Sequence, residues 1–248
     1  MSTGGAGTQP RRALETCGTL GLLEGAAHLW TMRDNNCVDA KGASAPQSSA
    51  GWMLARVALS ECFPVGCHDW KFSRDGRGKP FIAAPQEYCG LGVSISHTDG
   101  LVACLISGHG TAAVDVEGVI TWDDLPSVAP TILSGEEQRS IEALAGDAWT
   151  RRFYEYWTLK EAYAKARGVG LACEFALVSF DLGPGCDVSV RFADGACEIA
   201  SEWLFRRLAL GPRWAGAVAA MTGPSKTLAL AHTELTPDML AWEISRAS

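Results

Sequence analysis

Apolar residues recur along this chain with a period that switches several times between helix-like and strand-like spacing. After the polar stretch from Lys41 to Ser49, Trp52, Ala55, Leu59 and Cys62 follow helical spacing, and Ser48 or Ser49 can cap that helix. The segment from Ser73 to Pro80 reads as a loop. Three short apolar runs come next, Gly92–Ser96, Leu101–Ile106 and Ala112–Val116. With Gly100, Gly108 and Gly110 as turn residues, they predict strands. Ser134-Gly-Glu-Glu137 has capping-box spacing and opens a second helix. The longest helix is predicted from about Trp149 to Arg167, with Gly168 as its C-terminal cap. Its apolar positions Phe153, Tyr156, Trp157, Ala164 and Ala166 only partly follow one stripe, so it should be buried on more than one side. Strand patterns recur at Phe175–Phe180, Val188–Phe192, Trp203–Leu210 and Ala215–Met221, with a further candidate at Thr227–Ala231. Thr236 can cap a final helix, Pro237–Ile244, whose first position suits Pro237.

This order predicts an α+β fold. A helix followed by strands occurs twice, once in residues 1–116 and once in residues 117–248, without a low-complexity linker between them. Two similar halves packed as one unit are expected, although the two stretches share no convincing residue-level repeat.

Composition narrows the function classes. The chain has 248 residues, 47% hydrophobic and 20% charged, which is ordinary for a globular protein with a full core. Its net charge is −7, so a broad nucleic-acid surface is not expected, though a local basic pocket is compatible with it. No cationic start followed by an apolar run opens the chain, and no apolar run approaches the roughly 20 residues that span a bilayer. Nine cysteines are scattered without a CxxC pair. Cys62, Cys67 and His68 lack two further ligands at zinc-site spacing. From scattered thiols and no export signal, a reducing cytoplasm is expected.

Candidate chemistry sits in four places. Asp115 and Glu117 lie two residues apart on a strand and so share a face. Two such carboxylates repel each other unless a cation joins them, and Mg²⁺ is the natural oxygen-ligated partner. Solvent exposure of both acids would equally relieve the repulsion. Glu161 and Lys165, four residues apart on a helix, leave one face, as ordinary ion pairs also do. Ser96 and His97, at a strand end, can cap a turn or hold phosphate oxygens. Gly78-Lys79-Pro80 offers close backbone approach and a mobile cation.

In order, the chain carries Gly78-Lys79-Pro80, Ser94-x-Ser96-His97-x-x-Gly100, Val114-Asp115-x-Glu117 and Trp157-x-x-Lys160-Glu161-Ala-x-x-Lys165-x-x-Gly168-x-Gly170. In this it resembles the Sfp-type 4′-phosphopantetheinyl transferases over roughly residues 50–220. The resemblance implies a pseudo-dimer of two α/β halves, with the active site at their junction. The first half would serve the coenzyme A nucleotide, and the second the metal, the catalytic helix and the carrier protein. The implied reaction moves 4′-phosphopantetheine from coenzyme A to a serine of an apo acyl or peptidyl carrier protein and releases 3′,5′-ADP. Asp115, Glu117 and Glu161 would bind Mg²⁺, with Mn²⁺ able to replace it. Glu161 would also take the serine proton, directly or through water, and Lys165 would hold the phosphate and assist the leaving group. Ser96 and His97 would bind coenzyme A phosphate, and Gly78, Lys79 and Pro80 would flank the adenine. The expected basic residues at the start of the first helix are missing. Arg56 is the approximate match for the 3′-phosphate, with Arg33 and Lys41 as other candidates.

A monomer is implied, with neither a membrane nor a nucleic acid as partner. Two other classes fit some of the same residues: a non-catalytic coenzyme A or nucleotide-binding module, and a Mg²⁺-dependent phosphohydrolase. Gly118–Val128 is read as a loop beside the site, where Trp122 or Leu125 would dock the carrier unless these residues tuck into the core.

Overall fold

A computed structural model describes residues 26–33, 50–108, 111–169, 174–193, 198–223 and 228–246. Ser48, Ser49, Lys41, Gly110, Gly170 and Thr227 lie outside the described residues. The helix expected after Ser49 forms as α1 (Ala50–Cys62). Its start approaches the sheet so closely that a Cβ on Gly51 would fall 2.6 Å from Ile95 Cγ2.

Three strands, one before α1 and two after it, form where the hydropathy pattern gives no sign of them. β1 (Ala26–Arg33) is buried along nearly its whole length, so it lacks the alternation that marks a half-exposed strand. The expected loop at 73–80 is the turn of a hairpin, its ends taken into β2 (Lys71–Arg74) and β3 (Pro80–Ala84). The Asp75 carboxylate closes its turn by accepting the Arg77 and Lys79 N–H groups at 2.9 Å each. Gly78 takes the left-handed conformation there, with φ +86°. β4 (Gly92–Thr98) and β5 (Leu101–Ser107) then pair with each other, and β5 pairs with β1.

The second repeat copies this plan. β6 (Ala112–Gly118) is followed by α2 (Leu125–Ile132), α3 (Gly135–Ile141) and the long α4 (Gly146–Arg167). A hairpin of β7 (Val178–Leu182) and β8 (Val188–Phe192) comes next, then β9 (Trp203–Arg207) and β10 (Trp214–Met221). The sheet orders are β1-β5-β4 in the first repeat and β6-β10-β9 in the second, all antiparallel. Each repeat is thus strand, helix, hairpin and two strands, with the last strand in the middle of its sheet. The expected α+β fold of two similar halves is present. β6 hydrogen-bonds β10, so a boundary between residues 116 and 117 falls inside a strand of the second sheet. β11 (Ala229–Leu235) returns to pair in parallel with β1, and α5 (Pro237–Arg246) closes the chain behind a Thr236 cap.

The two sheets meet along β4 and β6. The hydroxyls of Ser94, Ser96 and Thr98 accept the N–H groups of Val114, Val116 and Gly118 at 3.2, 3.2 and 2.9 Å. Alternation puts all three hydroxyls on one face of β4, where they satisfy the edge donors of β6 in place of carbonyls.

The capping box at Ser134 forms as expected, with the Ser134 N–H donating to Glu137 Oε2 at 2.8 Å. Glu137 then does more than cap. It is fully buried and pairs with the equally buried Lys160 of α4 at 2.8 Å. Its other oxygen accepts the Phe180 N–H at 2.8 Å, and Lys160 donates to the carbonyls of Phe175 and Val178. This network fixes α4 against α3 and β7. α4 is buried on several sides, from Phe153 and Tyr156 round to Lys160 and Tyr163, and ends on Gly168 at φ +66°.

The Gly118–Val128 loop is shorter than expected. Leu125 opens α2 and is 2% exposed, packed in the α4 core, while Trp122 at 40% and Ile120 at 63% face outward. Leu125 is therefore a core residue and not part of a docking surface. Pro130, which argues against helix in the sequence, is accommodated inside this single short one.

Candidate active site

β6 and α4 carry the chemistry, and β10 holds them together. Asp115 sits in the middle of β6, almost fully buried. Opposite Val116 in the next strand is Gly216, where a Cβ would lie 2.7 Å from Leu210 Cδ1 and 3.2 Å from the Asp115 carbonyl oxygen. The carboxylate strand is thus packed against backbone with no room for another side chain.

Lys165 reaches from α4 to Asp115 Oδ1 at 2.7 Å. The Ser96 hydroxyl joins them, donating to Asp115 Oδ1 at 2.9 Å and accepting from Lys165 Nζ at 3.0 Å. Two residues further along β6, Glu117 Oε1 accepts the Trp157 indole N–H at 3.3 Å. Glu161 lies one turn before Lys165 on α4. Asp115 Oδ2 and Glu161 Oε1 are both buried without a hydrogen-bond partner.

The electrostatics follow from this crowding. Burial, then the neighbouring Asp115 charge, push the Glu117 carboxyl up to about 7, while Trp157 and Lys165 pull it down and Glu161 pushes it up slightly. Burial and Asp115 raise the Glu161 carboxyl as well, and Lys165 opposes them. Three carboxylates therefore share one neighbourhood with a single ammonium. No group of three or more His, Cys, Asp or Glu side chains among the described residues is arranged to hold a metal ion by itself. Lys165 occupies one Asp115 oxygen and Trp157 one Glu117 oxygen, so the expected three-acid ligand set is not preassembled. Hard oxygen donors with two partnerless buried atoms nevertheless fit Mg²⁺, which takes one or two protein carboxylates and fills its shell with water and phosphate.

The remaining candidates fall in three places. Ser96 belongs to the acid cluster, while the next residue on β4, His97, points to the opposite, exposed face. The Gly78-Lys79-Pro80 turn docks on the C-terminal end of α4, where Lys79 Nζ donates to the Ala166 carbonyl at 2.9 Å. Burial lowers the Lys79 pKa, and its cation complements the negative end of the helix. Arg56 lies over the Phe72 ring at 5.1 Å and Arg74 over Trp52 at 5.5 Å, a stack built from α1 and the β2–β3 hairpin. Arg33 pairs with Glu234 at 2.7 Å.

The sequence places Trp157 and Lys160 in the helix motif and Glu137 in a capping box, but gives no sign of the contacts that Trp157 makes to Glu117 or that Lys160 and Glu137 make to each other. The alternating hydroxyls of Ser94, Ser96 and Thr98 were visible as a period-two polar face inside an apolar strand. That signal marks a polar partner across a buried junction.

The family model of the 4′-phosphopantetheinyl transferase superfamily matches residues 112–219, from the start of β6 into β10. The AcpT transferase of Salmonella typhi is 30% identical over 162 residues, covering 64% of this chain and 80% of AcpT. The chain belongs to the 4′-phosphopantetheinyl transferase superfamily. The HetI transferase of Nostoc is 32% identical over 124 residues, half of this chain and 52% of HetI. A phosphopantetheinyl transferase of Thraustochytrium is 29% identical over 170 residues, 63% of this chain and 57% of the relative. The chain thus spans little more than half the length of these two relatives. The superfamily segment begins at the strand of Asp115 and Glu117 and contains all of α4.

Proposed function

We propose that this chain transfers 4′-phosphopantetheine from coenzyme A to a serine hydroxyl of an apo carrier protein and releases 3′,5′-ADP. The observation that carries this reading is the meeting of Asp115, Glu161 and Lys165 with two partnerless buried carboxylate oxygens at the junction of the repeats. Asp115 and Glu161 would hold Mg²⁺, with Glu117 beside them. A bound divalent ion would neutralise pyrophosphate oxygens as charge develops on them. Lys165 would place its ammonium on the same oxygens and assist the departing 3′,5′-ADP. Glu161, directly or through one water, would take the proton of the carrier serine, which is a poor nucleophile until deprotonated. Burial and the Asp115 charge raise its pKa in the metal-free protein, which makes it a stronger proton acceptor than an ordinary carboxylate.

The first repeat would receive the nucleotide. The Gly78-Lys79-Pro80 turn would flank the adenine, His97 would approach a coenzyme A phosphate, and Arg56 would answer the 3′-phosphate. Ser96, whose hydroxyl is already committed, would act from below the phosphate rather than grip it alone. The carrier would approach over Trp122 and Ile120 on the second repeat. The two repeats supply one complete site within a single chain, which supports a monomer. Nine scattered cysteines without a CxxC pair are compatible with a reducing cytoplasm. Among the described residues no helix is long and apolar enough to cross a membrane.

The test is an incubation with coenzyme A, Mg²⁺ and apo carrier proteins, followed by intact mass. A gain of one phosphopantetheine on the carrier is the expected result. Coenzyme A breakdown without a carrier would point to a phosphohydrolase, and binding without turnover to a nucleotide-binding module.

A further inference from the structure

Ser96 makes three hydrogen bonds in a pocket where its hydroxyl has one donor and two acceptor positions. It donates to Asp115 Oδ1 and accepts from both Lys165 Nζ and the Val116 N–H. Every position is used. Asp115 is equally one-sided. Its Oδ1 receives both Ser96 and Lys165, whereas its Oδ2, like Glu161 Oε1, is buried with no partner. Among the described residues, the Lys165 ammonium is shared by Asp115, Glu117 and Glu161.

We propose that in the metal-free protein Lys165 is the counter-ion of Asp115, latched there by Ser96, and that a divalent cation must displace it from that carboxylate. This rests on the reading of Asp115 as a metal-binding carboxylate. The exchange has a physical cause. Lys165 holds Oδ1 and the metal would take the partnerless Oδ2 of the same buried carboxylate, so the two cations would lie close together and repel strongly at that range. Lys165 is the member free to move, because its ammonium sits on a flexible four-carbon stem and its side chain is 34% exposed. Asp115 is held by β6 and cannot follow. Metal binding therefore frees the ammonium in the place where the pyrophosphate arrives, so metal entry readies Lys165 for the substrate. The coupling is reciprocal: whatever loosens the latch tightens the metal.

The experiment is a titration of the full chain with Mn²⁺ alone, without coenzyme A, followed by the electron paramagnetic resonance of free Mn²⁺. Lys165→Met should bind Mn²⁺ about three- to ten-fold tighter than the wild type, the range of a partly exposed ion pair. Ser96→Ala removes no charge, so tightening there, by about two- to three-fold for one lost hydrogen bond, separates the latch from a diffuse charge effect. In the wild type, the ¹⁵N resonance of Lys165 Nζ should shift as diamagnetic Mg²⁺ saturates the site. Unchanged or weaker binding by Lys165→Met, unchanged binding by Ser96→Ala, or a stationary Nζ resonance would each overturn the latch. If Lys165→Met does not fold, Ser96→Ala and the Nζ resonance decide. Asp115→Asn with wild-type Mn²⁺ affinity would instead overturn the metal assignment beneath it, and mass transfer to a carrier would still test the transferase reading separately.

Discussion

Replacing Lys160 by Met should destabilise the protein more than any surface charge change. Lys160 and Glu137 are both 0% exposed and 2.8 Å apart. Removing one member of such a pair strands the other charge away from water, which costs about 3–5 kcal/mol. At roughly 2–4 °C per kcal/mol for a chain of this size, the melting temperature should fall by about 6–20 °C. The comparison is Glu234→Ala. That variant breaks an ion pair of similar length, Arg33–Glu234 at 2.7 Å, whose side chains are 54% and 49% exposed. An exposed pair contributes about 0–1 kcal/mol, so this variant should melt within roughly 4 °C of the wild type. Circular dichroism melts in one buffer measure both. The double variant Lys160→Met, Glu137→Leu should not recover fully. Glu137 also accepts the N–H groups of Ser134 and Phe180, and these would be left buried without partners. A Lys160→Met protein melting within about 3 °C of the wild type would refute the argument that α4 is anchored by this pair.

Asp115→Ala and Glu161→Ala should each abolish transfer to the carrier while the circular dichroism spectrum stays folded, because each removes one of the partnerless oxygens offered to the metal. Lys165→Ala should lower kcat far more than it raises KM for coenzyme A, since phosphate charge at the ammonium grows toward the transition state; steady-state kinetics separates the two. In EDTA, stability should fall as pH rises from about 4.5 to about 7. Glu117 titrates at about 7 when folded against an ordinary 4.5, so the folded state binds the proton more tightly and loses that advantage as it ionises. Glu117→Gln should flatten this fall in melts taken across that range. Trp122→Ala should raise KM for the carrier several-fold and leave coenzyme A binding unchanged, because an exposed aromatic ring beside the site is the kind of group that anchors an interface; carrier titrations at saturating coenzyme A check it.

What was legible in the sequence followed from local rules. The Ser134 capping box, the Gly168 cap and the helix between them need only residues within a few positions of one another. The shared face of Asp115 and Glu117 needs only a strand. Other features needed a partner far along the chain. β1 is wholly buried and so carries no alternation, and its identity depends on β5 and on β11, about 200 residues away. Trp157 looked like one more apolar helix position until β6 brought Glu117 beneath its indole N–H. Lys160 stands in the helix motif with no role of its own legible from the sequence. Its burial depends on Glu137, on the carbonyls of Phe175 and Val178, and on the packing of all three elements at once.

The alternating hydroxyls of β4 show why the site forms only where the repeats meet. β6 has an edge whose N–H groups find no strand to pair with on that side. Ser94 and Thr98 satisfy two of them and do nothing more in the hydrogen-bonding described. Ser96 satisfies the third and also touches both Asp115 and Lys165. The bond that seals the junction and the bond that orients the charged pair therefore belong to one oxygen. Any shift of the first repeat against the second moves that oxygen relative to both partners. Asp115 and Lys165 come from the second repeat alone, yet their alignment depends on a residue of the first. The first repeat and the acid cluster are thus mechanically joined through Ser96.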